Sequence, residues 1–75
     1  MSNDALPFYL WKGKRLKYAL ICICYYSCGE VVLWDDEKDK QLGVVEVSTK
    51  KEADELMDAW LAHAPNFVSC RKAVV

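Results

Sequence analysis

The sequence predicts an α+β fold, an antiparallel sheet of four to five strands with one helix packed on one face, in the order ββββαβ. Three observations carry this. Residues 18–26 form an apolar run with the side-chain alternation of a central strand. Residues 49–64 carry a capped amphipathic helix. Glycine-bearing turns and charged loops punctuate the rest. The chain of 75 residues reads as a single domain, 1–75, with no internal repeat and no linker. Domains of this size bury only about 60% of the surface their unfolded chains expose.

Residues 6–11 read as an edge strand, because Pro7 cannot donate to a ladder. Lys12, Gly13, Lys14 and Arg15 form a turn with a basic tip. A long second strand is expected over residues 16–26, broken by Ser27, Cys28 and Gly29, the glycine suiting a turn with positive φ. Residues 30–34 make a third strand, 35–40 a charged loop and 41–48 a fourth strand. Thr49 and Glu52 have the spacing of a capping box, which satisfies free amides of a helix's first turn. Ala53, Leu56, Met57, Trp60 and Ala64 then fall on one apolar stripe, and Pro65 ends the helix near His63. Residues 67–75 resume strand character.

The central strand sets the functional expectation. Ala19, Ile21, Ile23 and Tyr25 point one way, and Tyr18, Leu20, Cys22, Cys24 and Tyr26 the other. One helix covers only one face of a sheet, so the second apolar face must meet something else. The apolar fraction is 53% and there are nine aromatics, more than a small core needs. These features predict a non-enzymatic protein-binding module. The residues expected to contact the partner are Trp11, Tyr18, Tyr25, Tyr26 and Trp34 from the aromatic set. Asp35, Asp36, Glu37, Asp54, Glu55 and Asp58 join them from an acidic loop and helix. A second copy of the chain would serve the same face, so a homodimer is compatible with this reading.

Charge supports an uneven surface. The net charge is −1, but residues 1–34 balance at +2 and residues 35–58 at −5. An acidic face of this kind can imitate a phosphate backbone and occupy a basic groove. The near-neutral total disfavours a general polyanion binder. An alternative nucleic-acid module would use the basic hairpin at residues 12–17, with Tyr9, Trp11 and Tyr18 stacking on bases. The preferred explanation of those bases is a soluble tip that blunts an edge strand.

The chemistry-bearing residues are few. Cys22 and Cys24 share a strand face, Cys28 has the same parity, and Cys70 can be brought beside them by the last strand. Four thiolates hold zinc tetrahedrally, so a zinc-stapled module is a further alternative. The spacing departs from the paired knuckles of zinc sites, and reduced cysteine packs well as a small hydrophobe, so no metal or cofactor is assigned. His63 is the lone histidine, with no nucleophile or carboxylate placed for catalysis, and no nucleophile-elbow or phosphate-loop motif is present. The first residues lack the basic and apolar regions of a signal peptide, and no run reaches the roughly 20 residues that span a bilayer. A soluble, cytoplasmic protein with reduced cysteines is expected.

Thr49-Lys50-Lys51-Glu52-Ala53 opening an acidic helix, and Pro65-Asn66-Phe67-Val68 leading to a final strand, set a layout over residues 16–75. This layout resembles small phage-encoded proteins, among them inhibitors of host RNA polymerase and anti-CRISPR proteins. The resemblance implies a stoichiometric blocker of a host or defence complex, acting by steric and charge occlusion.

Overall fold

The computed structural model describes residues 7–73. Its elements are β1 (Phe8–Trp11), β2 (Lys14–Lys17), β3 (Ile21–Ser27), β4 (Glu30–Asp35), β5 (Lys40–Glu46), α1 (Lys50–Ala62) and β6 (Ser69–Lys72). The architecture is α+β, with a four-stranded sheet ordered β5-β4-β3-β6 and a separate β1-β2 hairpin. The strand starts and ends expected at Leu6, Val74 and Val75 lie outside the described residues.

Two expectations are corrected. The strand proposed over 16–26 is divided into β2 and β3, giving five strands before the helix. Tyr18 and Ala19 are both buried, although a regular strand sends successive side chains to opposite faces. The chain therefore bends at residues 18–20 to put both into the core. The sheet is also mixed, because β6 pairs with β3 in parallel while the other ladders are antiparallel. Direction explains this. Strands β3, β4 and β5 alternate, α1 returns the chain, and β6 must then run with β5 and so with β3.

Both tight hairpins use turn residues with positive φ. Lys12 and Gly13 sit at +47° and +83°, and Cys28 and Gly29 at +51° and +80°. Paired left-handed residues match the right-handed twist of the flanking strands.

Helix α1 begins as its sequence predicts. Thr49 Oγ1 accepts the Glu52 amide at 3.1 Å, and Glu52 Oε1 accepts the Ser48 amide at 2.9 Å, one residue before the cap. Ala53, Leu56, Met57 and Trp60 are buried against Cys22, Cys24, Val31, Leu33 and Val45. Leu16 and Tyr18 join this core from the hairpin side. The hairpin is tied to both ends of the helix. Lys12 Nζ reaches Glu52 Oε2 at 3.0 Å, and the Tyr9 ring stacks on His63 with centroids 4.7 Å apart. The core is therefore one-sided, held between α1 and one face of the sheet.

Candidate functional site

The face of the sheet turned away from α1 follows from register. On β3, Cys22 and Cys24 point to the helix, so Ile21, Ile23 and Tyr25 point away. Tyr25 pairs with Val32, and Val32 in turn with Val44. In the next row Ile23 lies between Arg71 on β6 and Trp34 on β4, with Gln41 beyond. Ile21 pairs with Ser69. The middle of this face is thus two adjoining rows of apolar side chains. Ile21 and Val44 are exposed, at 42% and 36%, Ile23, Tyr25 and Trp34 are half-buried, and Val32 between them is buried. Leu20 and Phe67, just ahead of β3 and β6, are also exposed.

Acids bracket the patch. At one end Glu30 pairs directly with Glu46 across β4 and β5, an arrangement in which like charges oppose each other. Neither forms an ion pair among the described residues. At the other end the β4–β5 loop carries Asp36, Glu37 and Asp39. Loop geometry comes from Asp35, whose Oδ1 accepts the Glu37 and Lys38 amides at 3.0 Å each. Asp39 Oδ1 accepts the Trp34 indole N–H at 3.3 Å, which orients that ring at the patch edge. A bulge between Leu33 and Trp34 displaces the register here, leaving Leu42 as the extra residue of β5.

The structure distributes the sequence-predicted contact residues over several sites. Tyr25 and Trp34 lie on the open face, with Asp36 and Glu37 at its rim. Tyr26 has the opposite parity and packs against the core. Trp11 belongs to the hairpin and is also packed against the core. Tyr18 is corrected from a contact residue to a core residue. It is 3% exposed, stacks on Trp60 at 5.1 Å, and its hydroxyl donates to the Trp60 carbonyl at 2.8 Å. Burial pushes its phenol up to about 12, the neighbouring Tyr9 adding to the effect. Asp35 is likewise corrected, being 5% exposed with its carboxylate turned to its own loop. Asp54, Glu55 and Asp58 stand on α1, on the opposite side of the sheet from the open face. Asp54 pairs with Lys50 at 3.3 Å and Asp58 with Lys72 at 2.8 Å.

Ile21, Ile23 and Val44, with the buried Val32 beneath the row, are the open-face residues that sequence reasoning left out of the contact set. The first two carried a signal, the parity of the 18–26 run. Val32 and Val44 required knowledge of the pairing register.

The cysteines take a different arrangement from the four reduced thiols expected. Cys22 and Cys70 face each other in register and are joined as a disulfide, with Cα atoms 4.5 Å apart. Cys24 is a buried free thiol, pushed up to about 11 by its burial, and Cys28 is exposed in the β3–β4 turn. Among the described residues no three His, Cys, Asp or Glu side chains form a group able to hold a metal. No described helix is long and apolar enough to cross a membrane.

No family model matches this chain, and no curated protein or solved structure is significantly similar to it.

Proposed function

We propose that this chain is a small non-enzymatic protein-binding module that docks through the open face of its sheet. The observation that carries this reading is the apolar pair of rows, Tyr25–Val32–Val44 and Ile23–Trp34, on the side away from α1 and bracketed by acids. A partner that fits has an apolar centre flanked by basic groups, since complementary charge guides encounter and fixes register. The resemblance of the sequence layout to phage-encoded inhibitors would give this binding a purpose: stoichiometric occlusion of a host or defence complex in the cytoplasm, without turnover.

The basic hairpin has less in its favour as a nucleic-acid site. Lys12 is engaged by Glu52, and the Arg15 guanidinium lies over the Phe8 ring at 4.3 Å.

The test is capture of a stoichiometric partner from host lysate, with light scattering on the purified chain at micromolar concentration. Trp34→Ala should weaken the complex about thirtyfold or more, as expected of an oriented aromatic anchor. Ile23→Glu should abolish it, and Glu55→Lys on the helix side should leave it unchanged. A dimer that Ile23→Glu dissociates identifies the partner as a second copy. A complex insensitive to both open-face substitutions refutes the proposal.

A further inference from the structure

Strand β6 is paired on one side only. It is four residues long, borders only β3, and lies at the edge of the sheet. The Ser69 and Ala73 amides bond the β3 side at 2.8 Å each, and Lys72 reaches Asp58 on α1. The parallel ladder to β3 and the Arg71–Asp36 ion pair at 3.8 Å add to these, and Cys70 is placed directly opposite Cys22 with a Cα separation inside the range a disulfide spans.

We propose that Cys22 and Cys70 form a reversible redox clasp that locks the edge strand β6 onto β3. The two positions are unequal in a way that gives the exchange a direction. Cys22 is fully buried, whereas Cys70 is half-buried on the edge strand. The Cys70 thiolate attacks a low-molecular-weight disulfide such as oxidised glutathione, forming a mixed disulfide and releasing one glutathione thiolate. The Cys22 sulfur, once deprotonated, attacks the Cys70 sulfur, forms the internal bond and releases the second glutathione. Two cysteine thiols are oxidised and one glutathione disulfide is reduced to two thiols, which take up the two protons.

Both end states are accommodated by the fold. As a thiol, Cys22 donates to the Ala19 carbonyl at 3.2 Å, and in either state its sulfur accepts the Ala19 amide at 3.3 Å. Reduction therefore leaves no orphaned polar group at this point of the core. The other cysteines do not compete. Cys24 is held as an inert thiol by its burial. Cys28 stands six residues along the chain from Cys22, roughly 20 Å at the rise of a strand. In a reducing compartment the clasp is open, and in an oxidising one it closes. The clasp is independent of the docking reading, since neither sulfur lies on the open face.

The experiment equilibrates the full chain with graded mixtures of reduced and oxidised glutathione, quenches with acid, alkylates free thiols and maps the linked peptides. A single Cys22–Cys70 linkage that a dithiol reverses is expected. Hydrogen exchange at the Ser69 and Ala73 amides should slow about tenfold or more in the oxidised form. Cys70→Ser should abolish the linkage and make exchange insensitive to glutathione. The comparison of oxidised with reduced wild-type protein needs no variant, so a poorly folding Cys70→Ser leaves the test intact. Persistent alkylation of both cysteines, linkage through Cys24 or Cys28, or equal exchange at Ser69 and Ala73 in the two forms would overturn the proposal.

Discussion

The contact of Tyr18 with the end of α1 makes a prediction whose size follows from geometry. The Trp60 carbonyl belongs to the last turn of the helix, where carbonyls lack intrahelical partners. The next amides are committed elsewhere, His63 to Ala59 and Ala64 to Leu61, so the Tyr18 hydroxyl at 2.8 Å is what satisfies it. Tyr18→Phe keeps the ring and its stacking on Trp60 and removes only the donor. Leaving a buried carbonyl unpaired costs about 1.5 kcal/mol, within the usual range for such groups. In a domain of this size that lowers Tm by roughly 6–12 °C. The phenol adds a pH signature. Its value in the fold, about 12, lies above the ordinary 10, so the neutral form is favoured by folding. That contribution is complete below pH 10 and is lost as pH rises from 10 to 12. Urea unfolding at neutral pH and at steps between pH 9 and 12 measures both effects, with near-ultraviolet tyrosinate absorbance reporting the ionisation. Wild type should lead the variant at neutral pH, and the gap should narrow through the alkaline limb. Equal stability at neutral pH, or a gap that does not change with pH, would refute the assignment of Tyr18 as the helix's terminal donor.

Two further outcomes follow from local geometry. Asp35→Ala removes the acceptor of the Glu37 and Lys38 amides and should cost about 1–3 kcal/mol in urea unfolding, with faster exchange at those two amides. Gly29→Ala places a side chain at φ +80°, where the added Cβ would meet nothing closer than the Val47 carbonyl at 4.0 Å; its cost of about 1–2 kcal/mol is therefore backbone strain alone, and Gly43→Ala serves as the control without positive φ.

The sequence was legible where local chemistry decides the outcome. The Thr49 cap, the buried stripe from Ala53 to Trp60 and the stop at His63 all depend on neighbours within a few residues, and each lies where the pattern put it. The turn at Gly29 was legible for the same reason. The 16–26 strand was misread because its alternation continues unbroken through residues 18–20. The bend there brings Tyr18 to Trp60, 42 positions away, a contact that no local pattern encodes. The parallel pairing of β6 was hidden by reading strands singly, although alternation and one intervening helix fix its direction. For the candidate site, the existence of an uncovered apolar face was legible from the parity of one strand. Its membership was not. Tyr18 and Tyr26 are aromatic and near the right place in sequence, yet both belong to the covered side; Val32 and Val44 join the face only through ladders that no local pattern encodes.

The partnership of β3 with β6 has a consequence for biosynthesis. Residues 21–27 are made well before residues 69–72, so one flank of the central strand keeps unmatched amides and carbonyls until β6 arrives. During that interval the nascent protein has an open template beside its most oily segment, the circumstance in which chains join to one another. Overexpressed protein truncated before residue 69 should therefore accumulate in inclusion bodies.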